Sequence, residues 1–325
     1  MPKISVIIPT YNRASLISES IDSVLYQTYK DFDLIIVDDG STDNTKEIIS
    51  RYDDPRVKYE YRENRGVSAA RNYGAEMTSA DYIIFLDSDD ILLENSLEKF
   101  VNCLDFNKEV GFGYGQANIM KVGGEVYRVR KSHFFTDSQI IDPVKQIREL
   151  IFHKPYTVST CAMRLSCFNA IGGFNEDMWF AEDWQFFVRL AKRYSAFYIA
   201  EPVTNMRVHD NQLQNEVKPG REKAFFSIIK EVFEDPIFAP KVEDIKGQAY
   251  CHIYNSILAE LASGEDSKLA RKYQIMAVRF YPSIIFKRDI MFITYKYFAS
   301  LLPACMRIRL RNIKHHFKYT LEEQE

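Results

Sequence analysis

Three polar clusters stand at the ends of apolar runs in the first 90 residues: Thr10-Tyr11-Asn12, Asp38-Asp39-Gly40-Ser41 and Asp87-Ser88-Asp89-Asp90. The last carries the most chemistry. Carboxylates one residue apart, following the strand-like Ile83-Ile84-Phe85-Leu86, can offer hard oxygen ligands to a divalent cation, and the cation can then hold a diphosphate. The plainer alternative is a polar turn in which Asp90 caps the next helix. Asp38 and Asp39 suit hydrogen bonds to the base and ribose of a nucleotide, although Asp, Gly and Ser are also common strand-to-helix turn residues. Glu182-Asp183 precede an amphipathic stretch, 184–194, carrying Phe187, Leu190 and Tyr194 on one face. A carboxylate at a helix N-terminus is held ionised and can serve as general base toward a hydroxyl, or it can simply stabilise the helix. His209, in Met206-Arg207-Val208-His209, offers a nitrogen ligand to the same cation, with Arg207 near phosphate. Neither GxGxxG nor GxxxxGK[ST] occurs near the first strands, so dinucleotide and P-loop sites lack their signature.

Positioning these residues requires strands that end where they begin. Residues 3–9 and 32–37 are continuous apolar runs rich in β-branched side chains, as strands covered on both faces would be. Residues 57–61 and 82–86 supply a third and fourth strand. Between them, Ala14, Ile17, Ile21, Val24 and Leu25 recur at helical spacing, Asn44 with Glu47 reads as a capping box, and Val67, Ala70, Gly74 and Met77 share a helix face. Four β-then-α units imply an α/β protein with a doubly wound, mostly parallel sheet and right-handed crossovers. Ligands in such sheets lie at the carboxyl ends of the strands, where the three clusters fall. Further strands are expected near 112–119, 157–164 and 197–208, with a helix over 183–194. Beyond 215 the pattern is mainly helical.

Composition bounds the class. Hydrophobic residues make up 46% and charged residues 27% of the 325, as in ordinary globular proteins, which excludes disordered and fibrous chains. The five cysteines are scattered, without a CxxC pair, which fits a reducing compartment and excludes a disulfide framework. The N-terminal MPKISVIIPTYNR lacks the charged-then-apolar pattern of a secretory leader, so a cytoplasmic location is expected. The net charge of −3 hides an asymmetry: residues 268–318 carry twelve Lys or Arg against the single acid Asp289. Their longest nearly apolar run, 290–304, is interrupted by Lys296 and falls short of the ~20 residues needed to span a bilayer. An amphipathic helix on the anionic inner face of a membrane is the expectation for 268–318, with a basic helical cap packed on the body as the alternative.

The ordered set Val6-Ile7-Ile8-Pro9-Thr10-Tyr11-Asn12-Arg13, Val37-Asp38-Asp39-Gly40-Ser41-Thr42-Asp43, Asn64-Arg65-Gly66-Val67-Ser68-Ala69-Ala70-Arg71-Asn72, Phe85-Leu86-Asp87-Ser88-Asp89-Asp90, Gly172-Gly173-Phe174 and Glu182-Asp183 resembles glycosyltransferase family 2. The resemblance covers roughly residues 3–210. It implies a GT-A fold over 1–214, with a nucleotide-sugar half (1–110) and an acceptor half (111–214), followed by a basic helical extension over 215–325. By position it implies that Pro9, Tyr11, Asp38 and Asp39 contact base and ribose and that Arg71 lies near the nucleotide. Asp87 would hold the ribose or metal, and Asp89 with His209 would ligate Mn2+ or Mg2+. Asp183 would be the catalytic base, with Glu182 beside it and Trp179 as a platform for the acceptor. The QxxRW motif of processive members is absent, which implies transfer of single sugars. The donor implied is a nucleotide-diphosphate sugar, UDP-sugars being commonest. The acceptor would be a glycan or lipid-linked hydroxyl in bacterial surface polysaccharide synthesis, and nucleic acid is not an expected partner. Two competitors are a sugar nucleotidyltransferase and a membrane- or nucleic-acid-binding adaptor with an inactive body. The first should carry a Gly-rich loop where Pro9-Thr10-Tyr11-Asn12-Arg13 stands, and the acids at 39, 87, 89 and 183 argue against the second.

Overall fold

The computed structural model of the protein describes residues 1–209 and 221–261. The chain divides into two compact units, Met1–Phe238 and the segment from Ala239 onward. The expected divide at 214/215 falls outside the described residues, as does the basic stretch 268–318 with its membrane expectation.

The first unit opens with four parallel strands, β1 (Ile4–Thr10), β2 (Phe32–Asp38), β3 (Val57–Tyr61) and β4 (Tyr82–Phe85), in the spatial order β3-β2-β1-β4. Every residue of β1, β2 and β4 is buried, which is why their sequences run apolar without alternation. Helices α1 (Ile17–Leu25), α2 (Thr45–Ile49) and α3 (Val67–Glu76) make the crossovers. α1 buries Ile17, Ile21 and Val24 against the sheet, as its spacing predicts. α3 reaches the sheet through Gly74. A Cβ there would lie 2.4 Å from Ile7 Cγ2 and 3.3 Å from Val37 Cγ2, so the bare backbone permits the close approach. One turn back along that helix stands Arg71, at the carboxyl edge of the strands.

The sheet and its covering helices then continue beyond β4 through further elements. These are β5 (Ile91–Leu92), α4 (Ser96–Phe106), β6 (Val110–Lys121), β7 (Val126–Arg130), β8 (Gln139–Ile141), α5 (Pro143–Phe152), β9 (Cys161–Arg164), α6 (Leu165–Ala170), α7 (Glu182–Arg193), β10 (Ser195–Val208) and α8 (Arg221–Phe233). The ten-stranded order is β3-β2-β1-β4-β9-β6-β10-β5, with β7 beside β6 and β8 beside β10. β6 and β10 run parallel, while β9 is antiparallel to both β4 and β6. The α/β class and GT-A architecture expected from the sequence hold, and the antiparallel strands are added beyond β4. α8 is tied to α7 by Gln185 Nε2 donating to the Glu231 carboxylate (2.9 Å) and by Lys192 donating to Glu231 O (2.9 Å), and Lys192 also pairs with Asp235 just after the helix (2.6 Å). The second unit contains 3₁₀ turns and helix α9 (Lys246–Leu261). Among the described residues, no helix is long and apolar enough to cross a membrane.

Two local expectations differ. Asn44 makes no side-chain cap; its φ of −77° and ψ of 22° depart from the extended geometry a capping side chain needs, and Asp43 Oδ1 accepts the Thr45 N–H instead (3.0 Å). Asp90 caps no helix either, because the two-residue β5 follows it and α4 begins only at Ser96.

Candidate active site

The loops after β1, β2 and β3 lock one another. Asn12, left-handed at φ 51°, donates its N–H to Ser41 Oγ (2.9 Å), and its Oδ1 accepts the Thr42 N–H (2.8 Å). The Asp39 carboxylate accepts the backbone N–H groups of Arg65 (2.9 Å) and Gly66 (2.8 Å), while its own N–H donates to Thr10 O (2.9 Å). Burial raises the Asp39 pKa, and those two donors oppose the rise. Asp38 is wholly buried: one oxygen accepts the Ser41 N–H (2.8 Å) and the other the Tyr59 hydroxyl (2.9 Å). Asp38 therefore braces the turn from within. Pro9 is buried in β1, and the Tyr11 ring is open at the same edge with 46% exposure.

Arg71 joins the two halves of the unit. Its buried guanidinium donates to Asp87 Oδ1 (2.9 Å) and to Glu182 Oε1 (3.1 Å), with the Phe174 ring 5.1 Å below. This links α3, the loop after β4 and the first turn of α7 in one ion-paired cluster. Burial raises the Asp87 carboxyl, Arg71 opposes it, and Asp89 adds to the rise. Glu182 is raised by burial and by Asp183, again against Arg71. Burial works against the charge on Arg71, yet Asp87 and Glu182 outweigh it and its pKa is raised. The Asp87 N–H is held by Ser159 Oγ at 3.1 Å, a partner for which the sequence offered no signal.

Asp89 Oδ2 and His209 Nε2 are 2.9 Å apart, so the structure brings together the two residues expected at the metal. Among the described residues no three His, Cys, Asp or Glu side chains form a ready cation cage. The pair fits a cation that takes one oxygen and one nitrogen from protein and completes its shell with phosphate and water, as Mg2+ and Mn2+ commonly do. Asp90 is buried, accepts the Arg207 N–H (3.1 Å), and has its pKa driven well up by burial and then by Asp87 and Asp89. Arg207, expected near phosphate, is instead a buried strut that donates to Asp89 O (3.1 Å) and Glu19 (2.8 Å). Its sequence position beside His209 was informative; its direction was not.

The first turn of α7 is presented from a strained start, since Ala181 is left-handed at φ 57°. Asp183 Oδ1 accepts the Trp184 N–H (2.6 Å), and the buried Trp184 indole donates to Leu150 O (3.1 Å), anchoring the helix. The Gly172-Gly173-Phe174 turn sets where this helix stands. Gly173 is left-handed at φ 65°, and a Cβ there would lie 2.5 Å from Asn72 Oδ1. Asn72 clasps the Phe174 backbone, accepting its N–H (2.8 Å) and donating to its carbonyl (2.9 Å). Phe174 then stacks on Phe186 of α7 with 4.1 Å between centroids. Asn72, the neighbour of Arg71 in sequence, is thus a structural member of the site to which the sequence assigned no role. Trp179, 53% exposed, stands beside Phe180 in the segment before Asp183.

Residues 5–171 match the model of Glycosyl transferase family 2, and the chain belongs to that family. It is 31% identical over 216 residues to an uncharacterized glycosyltransferase of Rickettsia typhi, a match covering 66% of each protein. Against glycosyltransferase GlyA of Streptococcus pneumoniae it is 37% identical over 114 residues, 34% of this chain and 16% of that one. The match thus spans two thirds of the first relative and about a sixth of the second. Among solved structures, S. aureus TarS 1-349 in complex with UDP-GlcNAc has a TM-score of 0.63 at 20% identity, covering 86% of this chain and 91% of that one. The mannosyltransferase PcManGT from Pyrobaculum calidifontis, in complex with GDP-Man and Mn2+, has a TM-score of 0.53 at 19% identity, covering 92% and 85%. These two likenesses bear on the fold.

Proposed function

We propose that the chain transfers a single sugar from a nucleotide-diphosphate sugar to an acceptor hydroxyl, with inversion at the anomeric carbon and Asp183 as general base. The observation that carries this is the Arg71 cluster, which gathers Asp87 and Glu182, and with it the neighbouring Asp183, at the edge where Tyr11 and Asp39 also lie. Glu182 is committed to Arg71, whereas Asp183 keeps one carboxylate oxygen without a hydrogen-bond partner among the described residues. Asp183 is therefore the better placed to accept the proton of an acceptor hydroxyl. The deprotonated oxygen attacks the anomeric carbon from the face opposite the diphosphate, and one such displacement inverts the configuration.

Pro9, Tyr11 and Asp39 hold the base and ribose in this account, and Asp38 and Arg71 support them from inside the fold. A divalent cation, Mn2+ or Mg2+, would be held by Asp89 and His209 with Asp87 beside them, and when bound it neutralises charge on the leaving diphosphate. Trp179 offers an exposed aromatic face to an acceptor sugar ring. The UDP-GlcNAc in the TarS complex supports a UDP-sugar as donor, and a glycan or lipid-linked hydroxyl of the bacterial surface is the acceptor in this reading. The basic stretch 268–318 would keep the enzyme on the anionic inner face of the membrane. Asp183→Asn tests the base: turnover is expected to fall about 10²–10⁴-fold, the usual worth of general-base catalysis, with nucleotide affinity retained. Near-wild-type transfer by that variant would remove Asp183 from the role.

A further inference from the structure

β7 takes a place in the sheet that β9 leaves. β9 flanks β6 from Phe112 to Tyr114, while β10 covers the other side of β6 along most of its length. From Ala117 onward the flank of β6 that β9 has vacated is occupied by β7, with Arg130 opposite Ala117. The next strand over from β9 is β4, paired through Ile84 and Ala162, and it delivers Asp87 to Ser159 just before β9 begins. The register therefore sets Arg130 at the carboxyl edge, beside the loop of residues 87–90. Strands lie about 4.8 Å apart, so the backbone of Arg130 is within one side-chain length of that loop.

The charge environment agrees. Burial lowers the Arg130 pKa from its ordinary value, and Asp183 and Asp90 are the acids whose field opposes it. Yet no hydrogen bond or ion pair holds its guanidinium among the described residues. Arg71 and Arg207, which are fully buried, are each bonded to carboxylates, whereas Arg130 is half-buried. A half-buried guanidinium with no carboxylate bonded to it keeps its donors available to an anion, and its planar donor fork matches phosphate oxygens. In the reaction proposed above the anion at hand is the donor's diphosphate. As the acceptor oxygen bonds to the anomeric carbon, the bond from that carbon to the phosphate oxygen breaks. Its electron pair stays on the diphosphate, and the acceptor proton passes to Asp183.

We propose that Arg130 binds the donor's diphosphate and stabilises the charge that develops on it as it leaves. This rests on the glycosyl-transfer reaction proposed above. The test is calorimetric binding of UDP, GDP and dTDP, each beside its nucleoside, to the full chain and to Arg130→Gln and Arg130→Lys, with initial rates on the matching nucleotide sugar. One charge-assisted hydrogen bond corresponds to about 10- to 100-fold, so Arg130→Gln should lose that much affinity for the preferred nucleoside diphosphate while its nucleoside binds unchanged. Arg130→Lys should fall between the two, and kcat should drop in the same order. If the Gln variant fails to fold, the same intermediate loss in the Lys variant supports the assignment, and wild-type affinity in it overturns the assignment. Unchanged diphosphate affinity in Arg130→Gln, or a rise confined to the acceptor KM, would overturn the role of Arg130 alone. Wild-type protein that binds none of the three nucleoside diphosphates would instead remove the donor assignment, and Arg130's role with it.

Discussion

Replacing Arg71 with Met removes the one cation shared by Asp87 and Glu182 and leaves a side chain of similar length in the same buried space. Two charge-assisted hydrogen bonds at 2.9 and 3.1 Å are lost, each contributing roughly 1.5–3 kcal/mol. Against that, the buried Arg71 Nε has no partner, and its loss returns part of that sum. Two acids are then left facing each other and Asp183 without compensation, and breaking a buried pair by removing one partner costs about 3–5 kcal/mol. The expected destabilisation of the first unit is therefore about 3–5 kcal/mol at pH 8. Urea unfolding followed by the fluorescence of Trp184, buried in the helix that Arg71 anchors, measures it directly. Glu182→Gln added to Arg71→Met removes one of the stranded charges, and the double variant should be more stable than the single one. A loss under about 1 kcal/mol, or no recovery in the double variant, would refute the view that this cluster ties the two halves together.

Three further outcomes follow from the same structure. Gly173→Ala forces a Cβ onto a left-handed residue and against Asn72, so a destabilisation of about 2–4 kcal/mol is expected by chemical denaturation; a neutral substitution would show that the turn is not fixed by Asn72. Asp105, held down to about 2 by the Tyr82 hydroxyl and by Lys3 and Lys108, is an acid whose folded pKa lies below its unfolded value. Its contribution is present above about pH 4 and is lost as pH falls toward 2, so the stability gap between wild type and Asp105→Asn should close over that window; a gap constant with pH would contradict the pairing. Removal of divalent cations with EDTA should abolish transfer, and His209→Ala should raise the Mn2+ concentration needed to restore it. Full activity in EDTA would exclude a metal at Asp89 and His209.

The strands that carry the site were legible because β1, β2 and β4 are covered on both faces and read as unbroken apolar runs ending in polar residues. α7 was legible from the stripe of Phe187 and Leu190. Other features lie beyond local pattern. β5 is two residues long, and β7 exposes Val126 to Val129, so neither shows the burial that marks a strand. The union of Arg71 with Glu182 spans 111 residues and is a product of the crossover between halves. Asp38 and Asp39 look alike in sequence, yet one lies inside the turn and the other at its rim, because successive residues leaving a strand point to opposite sides. Arg207 shows the same limit: a charged residue near acids announced a site, while register decided that it should serve as a strut.

The most direct test of glycosyl transfer is incubation of the full chain and of Asp183→Asn with Mn2+ and a panel of nucleotide sugars, measuring release of nucleoside diphosphate and the anomeric form of the freed or transferred sugar. The account predicts release from at least one donor with inverted configuration, lost in Asp183→Asn while the nucleoside diphosphate still binds. Absence of release from every nucleotide sugar, with pyrophosphate formed instead from a nucleoside triphosphate and a sugar phosphate, would contradict it.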